Sequence, residues 1–226
     1  MPLTTVNWFL MEVEASSIYF APEGVKLSSS ASKSSKGASR CPAVLDRLAR
    51  LKTVKCPFDM RLRFTGTLES PEVRLVLEDS SITYEKLRGN FIIQSPSDWI
   101  NPQFPIIQIP TPYVFKSDSE CFLNQTFPLE NIGLNKPFRL VEGRFPIDKW
   151  LRPLSWAIEW VNIAEDIVLR RGEPWFNISF DSMPLEALVK LQREAVTEED
   201  RKRLLETKDV TAYINGTKSL WRKDAI

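Results

Sequence analysis

The amino-acid sequence predicts a mainly β protein, an antiparallel β-sandwich or barrel with one or two peripheral helices. The first observation is alternation: Met60, Leu62 and Phe64 are apolar, whereas Arg61 and Arg63 between them are charged. The second is that no helix-length segment separates the strand-like runs of residues 53–78, so successive strands are expected to pair antiparallel. The third is length, because 226 residues can bury a core without a disulfide or a metal ion.

Strand-like runs recur along most of the chain. They cover residues 6–13, 53–56, 59–64, 72–78, 91–94, 106–109, 113–116, 138–141, 154–160, 167–170, 175–180 and 187–191. In the middle third, prolines such as Pro110 and Pro112 interrupt the pattern. Because proline has no backbone N–H to donate, strands in this region are expected to lie at a sheet edge or to be short.

The first of two predicted helices begins near Cys41. Pro42 stands at the first-turn position, where its missing N–H costs nothing. Leu45, Leu48 and Leu51 are spaced three residues apart, which predicts a buried stripe along this helix.

The second predicted helix begins after Thr197, which precedes three acidic residues as a capping residue does, and it is expected to end near Thr207.

Residues 27–39 are rich in serine and lysine and nearly free of apolar side chains, which predicts a flexible loop. We therefore predict a β-rich domain over residues 1–195, containing this loop, and a C-terminal helical extension over residues 196–226.

The charge and cysteine content indicate the class of protein. Thirty basic and 29 acidic residues leave a net charge of +1, which disfavours nucleic acid as a partner. No run approaches the ~20 apolar residues of a membrane-spanning helix, and the N-terminal residues lack the pattern of a signal peptide. Three cysteines without a CxxC pair predict free thiols and no disulfide. We expect a soluble, cytoplasmic protein that does not contact a membrane.

The sequence contains no histidine. This absence excludes Ser-His-Asp and Cys-His catalytic sites and any metal site with a histidine ligand. The glycine-rich loops that bind nucleotides are also missing from the sequence. The sequence favours a protein that is not an enzyme over an enzyme. It predicts no catalytic residue and no metal site, and it leaves the question of a cofactor open.

The segment Arg171-Gly-Glu-Pro-Trp175 is the most unusual local sequence. Gly172 can adopt a positive φ, and Pro174 restricts the chain that enters the following strand. Such a turn can direct Arg171 and Glu173 into a pocket beside Trp175, which makes these three residues candidates for ligand binding. The structural alternative is a hairpin whose charged side chains pair with their neighbours.

A second group of candidates combines arginine with tryptophan. Arg144 and Arg152 lie near Trp156 in the sequence, and an aromatic surface with arginines can bind a planar ligand by stacking. The alternative is that Trp156 packs in the core, as aromatic residues on strands commonly do.

Several clusters occur together in a fixed order. They are Arg40-Cys-Pro-Ala43, Lys55-Cys-Pro-Phe-Asp59, Gly143-Arg-Phe-Pro146 with Trp150, Arg152-Pro153, Trp156, Glu159-Trp160 and Arg171-Gly-Glu-Pro-Trp175. Over residues 7–180 this series resembles a family of uncharacterised proteins of tailed bacteriophages, notably those that infect marine bacteria and cyanobacteria. The resemblance implies a viral origin, with action in the host cytoplasm or in the virion. It transfers no activity, cofactor or functional residue to this chain.

These observations lead to one main expectation and two alternatives. The main expectation is a phage accessory protein that acts in the infected host as a non-enzymatic binding module, with a host or phage protein as its partner. The first alternative is a β-domain that binds or converts a small molecule in a pocket around Arg171, Glu173 and Trp175. The second alternative is a minor structural component of the virion.

Overall fold

The structure is a computed structural model, and it describes residues 3–12, 14–25, 41–83, 91–129, 135–182 and 187–208. The predicted loop at 27–39 lies outside these ranges. The elements of the described residues, in chain order, are β1 (Leu3–Leu10), β2 (Glu23–Gly24), α1 (Pro42–Arg50), β3 (Lys52–Lys55), β4 (Met60–Phe64), β5 (Val73–Leu75), β6 (Ile92–Ile93), β7 (Ile106–Lys116), β8 (Cys121–Thr126), β9 (Phe138–Leu140), β10 (Gly143–Pro146), β11 (Pro153–Trp160), β12 (Ile167–Leu169), β13 (Pro174–Ser182), β14 (Leu188–Arg193) and α2 (Glu198–Lys208).

The strands form three sheets. Sheet A has six strands in the order β14-β1-β7-β11-β9, with β6 also paired to β7; sheet B has the order β10-β8-β13-β3-β2, and sheet C has the order β12-β4-β5. The sheets curl into a half-barrel, sandwich-like arrangement, which confirms the predicted mainly β fold class. All pairings are antiparallel except that of β1 with β14, in which Leu3 lies opposite Leu188 and the two strands run in the same direction.

Sheets B and C meet along two continuous stretches of chain. One stretch leads from β3 to β4, and the other is the turn between β12 and β13, where Gly172 has a φ of 86°. Cys56 and Glu173 hold the two stretches together, because the backbone N–H of Cys56 donates to the carbonyl of Glu173 at 2.8 Å. Gly172 donates in turn to the carbonyl of Cys56 at 2.9 Å.

Strand β7 differs from the prediction, because it is a long central strand that includes both Pro110 and Pro112. One edge of β7 pairs with β11 along most of its length. The opposite edge pairs with β6 at residues 107–108 and with β1 at residues 113–116. The two prolines fall where the partner on that edge changes, and β11 has a register shift opposite them. A proline at such a position removes little of the hydrogen-bond ladder, so the strand continues.

The main core lies between sheet A and the other two sheets, and aromatic rings join its two sides. Trp156 of β11 lies 5.8 Å from Trp175 of β13, measured between ring centroids. Tyr113 contacts Phe176 with an edge-to-face geometry at 6.4 Å. These large side chains bury much apolar area in a favourable ring geometry.

Helix α1 begins at Pro42 as predicted, but its expected apolar stripe is not buried. Leu51, just beyond the helix, is buried, whereas Leu48 is only half-buried and Leu45 is 45% exposed. No residue of α1 is buried within the described structure. The spacing of apolar residues correctly indicates which side chains share a helix face, but it carries no information on whether another element covers that face.

Helix α2 packs on the outer face of sheet A, opposite the main core. Its Leu204 joins Phe9, Val114 and Leu151 in a second, smaller apolar cluster.

The part of the chain that the structure describes contains no helix long and apolar enough to cross a membrane. All three cysteines are free, with Cys41 exposed and the other two buried.

Candidate ligand-binding site

The turn that contains Arg171 and Glu173 joins β12 to β13 at the boundary between sheets B and C. The Arg171 guanidinium donates to the carbonyl of Ile18 at 3.0 Å and to the carbonyl of Pro57, and it stacks 4.7 Å from the centroid of Phe20. Its backbone N–H donates to the carboxylate of Asp59 at 3.0 Å. Arg171 therefore connects three separate segments of the chain.

Glu173 lies in the same turn and is partly exposed. Its carboxylate accepts from the backbone N–H of Arg170 at 3.4 Å and lies 3.9 Å from the ammonium of Lys136. Both contacts are at the long end of their range, so the carboxylate is weakly held. The prediction of a ligand site at this turn stays a prediction.

The two tryptophans among the predicted site residues lie in the main core. Trp156 is fully buried, and Trp175 is almost fully buried against Trp156, Phe58 and Phe176. Arg144 lies elsewhere, on the edge strand β10, where its guanidinium stacks 3.5 Å from the centroid of Phe122. The structure therefore brings Trp156 and Trp175 together but separates them from Arg144.

Arg152 occupies a different position, because it lines a cavity of about 770 Å³ between the outer face of sheet A and helix α2. The cavity wall is largely apolar, with a few amide, hydroxyl and guanidinium groups. Its residues are Met11, Ile92, Gln94, Gln108, Pro110, Leu151, Arg152, Pro153, Ser155, Val196, Arg201, Leu204, Leu205 and Thr207. This volume lies within the range of about 300–1,000 Å³ that is typical of small-molecule sites.

Sheet A supplies the floor of the cavity through the alternation of its strands. On β11, Leu154, Trp156 and Ile158 face the main core, so Pro153 and Ser155 face the opposite side. On β7, Gln108 and Pro110 face this same outer side. The floor is therefore made of small or uncharged side chains, which is unusual for a sheet face directed toward solvent.

Helix α2 supplies the opposite wall, and a buried ion pair fixes its first turn. Asp200 accepts from the ammonium of Lys116 on β7 at 2.7 Å. It also accepts from the hydroxyl of Thr197 at 2.7 Å and from the backbone N–H of Thr197 at 3.0 Å, while Thr197 caps the Asp200 N–H at 3.1 Å. Burial alone would raise the pKa of Asp200, but these partners outweigh it and hold the pKa below its ordinary value.

The last turn of α2 is also attached to the sheet. The hydroxyl of Thr207 donates to the carbonyl of Leu151, the residue that precedes Arg152. Leu204 is buried against sheet A, whereas its neighbour Leu205 is 69% exposed and faces the cavity. The helix is thus held at both ends, and the cavity opens between those attachments.

Arg152 is the most unusual residue of the cavity wall. Its guanidinium stacks over Trp150 with 4.6 Å between the central carbon and the ring centroid. Its Nε donates weakly, at 3.4 Å, to the carbonyl of Pro153. Among the described residues no carboxylate lies within ion-pair distance of it. Burial lowers its pKa, because the charged form has lost water without gaining a counter-ion.

Sequence reasoning selected Arg152 but missed the rest of this cavity. The available signal was the composition of outward positions, since Gln108, Pro110, Pro153 and Ser155 carry no charge on a face that alternation alone assigns to solvent. A second signal was Leu205, an apolar residue next to the buried Leu204 on a short helix. Neither signal identifies the opposite wall, which is formed by residues distant in the sequence.

Other kinds of site have less support. Within the residues that the structure describes, no group of three or more cysteine, aspartate and glutamate side chains is placed to hold a metal ion.

The chain matches no known family model, and no curated protein matches it at a significant level.

Proposed function

We propose that this protein is a non-enzymatic binding module that holds a small, mainly apolar molecule in the cavity between sheet A and α2. The single observation that carries the proposal is the cavity itself, about 770 Å³ in volume with a largely apolar wall and a few polar groups. Such a wall gains free energy when an apolar ligand displaces water from it, while scattered polar groups orient the ligand.

The chemistry of the wall favours binding over catalysis. Its described members include no carboxylate, thiol, lysine or tyrosine, and the chain has no histidine. The groups that normally transfer protons near neutral pH are therefore missing from this wall. The arginines and amides that are present can orient a ligand.

The test is calorimetric titration of the full chain with decanol, a neutral probe with an apolar chain. We expect decanol to bind the wild-type protein. Gln108→Trp should weaken decanol binding, because Gln108 lies on the cavity floor and an indole there occupies part of the space that the ligand uses. The matched control is Gln192→Trp, which places the same side chain at an exposed position of β14 in the same sheet. Equal binding by both variants, or none by the wild type, would reject the proposal.

The place where the protein acts is a separate part of the proposal. The resemblance to proteins of tailed bacteriophages supports a viral origin and action in the cytoplasm of the infected host, with the virion as the alternative location. Mass spectrometry of purified particles and of infected-cell lysate distinguishes the two. Detection in the lysate but not in the particles is expected for a binding module of the host cytoplasm.

A further inference from the structure

The charges at the cavity indicate what kind of ligand it accepts. Two charged side chains among the described residues line it, Arg152 and Arg201. Arg201 is exposed and lies 3.7 Å from the carboxylate of Glu198, so its charge is both hydrated and paired. Arg152 is half-buried, and its two terminal nitrogens donate to no residue in the described part of the chain.

A bound anion would stabilise the half-buried guanidinium of Arg152. The guanidinium stays protonated near neutral pH, and Trp150 covers one of its faces by stacking. A partly desolvated cation without a counter-ion is costly, so a ligand that brings a negative charge gains more there than at a hydrated surface site. The rest of the wall is largely apolar. Among the described residues, its other charged side chain is Arg201, which is already paired with Glu198.

We propose that the ligand is a single-chain amphiphile with a carboxylate head, in which the carboxylate binds Arg152 and the apolar chain lies between sheet A and α2. This inference rests on the proposed function, because it names the ligand class of the same cavity. A carboxylate carries one negative charge, which matches one guanidinium, and its two oxygens fit the planar fork of arginine donors. A phosphate monoester carries about −1.5 to −2 charges near neutral pH, which exceeds what one free arginine neutralises.

The experiment compares three probes that share the same apolar chain: decanoate, decanol and decyl phosphate, each titrated into the full chain. We expect decanoate to bind about 10- to 100-fold more tightly than decanol, the range expected for charge-assisted hydrogen bonds. Decanoate should also bind more tightly than decyl phosphate. Tighter binding of decyl phosphate would overturn the carboxylate assignment.

Three variants of two arginines test whether Arg152 causes the tighter binding of decanoate. Arg152→Met should weaken decanoate binding by about 10- to 100-fold and leave decanol binding unchanged. The matched control is Arg144→Met, because Arg144 also stacks on an aromatic ring but lies on β10 and does not line the cavity. Arg152→Lys keeps the charge but removes the fork, and it should recover only part of the affinity.

The outcomes separate this inference from the proposed function. Equal binding of decanol and decanoate, with both weakened by Gln108→Trp, would support the binding module and reject the role of Arg152. Failure of both probes to bind the full chain would reject both proposals. A melting curve accompanies each variant. Arg152→Met should melt at or above the wild-type temperature, since it removes a half-buried charge that has no carboxylate partner among the described residues.

Discussion

The three arginines among the predicted site residues have different contacts in the fold. Arg171 holds backbone carbonyls of two other segments, Arg144 stacks on Phe122 at an exposed edge, and Arg152 lines a cavity without a carboxylate partner among the described residues. In the sequence all three are arginines near aromatic residues. What distinguishes them is the identity of their partners across the fold, which local sequence does not contain.

The turn at Arg171 gives the first prediction at the residue scale. Arg171→Met should lower the free energy of unfolding by about 1–2 kcal/mol, because two carbonyls lose a charged donor. Glu173→Gln should lower it by less than about 1 kcal/mol, because its contacts are long and partly exposed. Urea unfolding of both variants measures the difference. If Glu173→Gln is the more damaging change, the contacts of Arg171 with the carbonyls of Ile18 and Pro57 do not stabilise the fold.

The cysteines give a second prediction at this scale. Burial raises the pKa of Cys56 and of Cys121 to about 12, whereas Cys41 is exposed at the start of α1. Because the thiolate is the reactive form, a colorimetric thiol titration near about pH 8 should detect one fast-reacting group in the native protein. The same titration in denaturant should detect three. Fewer than three in denaturant would reveal a disulfide or oxidation, and more than one in the native protein would contradict the burial.

At the scale of elements, some strands were predictable and others were not. Strand β11 follows from alternation, since Leu154, Trp156 and Ile158 face the core as the period of two requires. Strand β7 does not follow, because the effect of Pro110 depends on which neighbours pair with each edge, and that is a property of the whole sheet. Strand β8 was missed altogether, and its Cys121, Leu123 and Gln125 are buried inward positions of which one is polar.

The cavity was not predictable for a related reason. Its walls come from β6, β7, β11, α2 and the residue that follows β1, so residues as distant in the sequence as Met11 and Leu205 line the same space. No local pattern connects them. The capped start of α2 was predictable, since Thr197 and Asp200 do form reciprocal hydrogen bonds.

The attachment of α2 gives a prediction at the element scale. Asp200→Asn should destabilise the protein by about 1–3 kcal/mol, because Lys116 loses a buried charged partner. The contribution of Asp200 is present above its ordinary pKa of 3.8 and is lost as the pH falls below it, because its pKa is lowered in the folded state. Hydrogen exchange should be faster along residues 198–208 of the variant than of the wild type.

The control for this prediction lies in the same helix turn. Glu198 is almost fully exposed and, among the described residues, pairs only with Arg201 at 3.7 Å, so Glu198→Gln should change the stability by less than about 1 kcal/mol. Equal effects of the two substitutions would show that helix charge alone, and not the contact with Lys116, attaches α2 to sheet A.

At the scale of the whole molecule, buried titratable groups in the core predict sensitivity to alkali. Burial raises the pKa of Tyr19 to about 12 and that of Tyr113 still further, in addition to the two buried thiols. A group whose folded pKa is raised stabilises the fold fully below its ordinary pKa, which is 9.0 for cysteine and 10.0 for tyrosine. That stability is lost as the pH rises through the folded pKa.

We therefore expect the melting temperature to hold between about pH 7 and 9 and to fall steeply between about pH 9 and 12. Calorimetry across this range measures the profile. In Tyr19→Phe the decline above about pH 10 should be shallower, because one of the groups that ionise on unfolding is gone. A melting temperature that stays constant to about pH 11 would contradict the burial of these side chains.

The proposed function requires that the space between sheet A and α2 is a ligand site. The most direct measurement is a methyl NMR titration of the full chain with decanoate. We expect the largest shifts at Met11, Ile92 and Leu205, which line the cavity, while the shifts of Leu77 and Ile163, which are exposed elsewhere, stay unchanged. Shifts spread evenly over exposed methyl groups, or centred on the turn at Arg171, would contradict it.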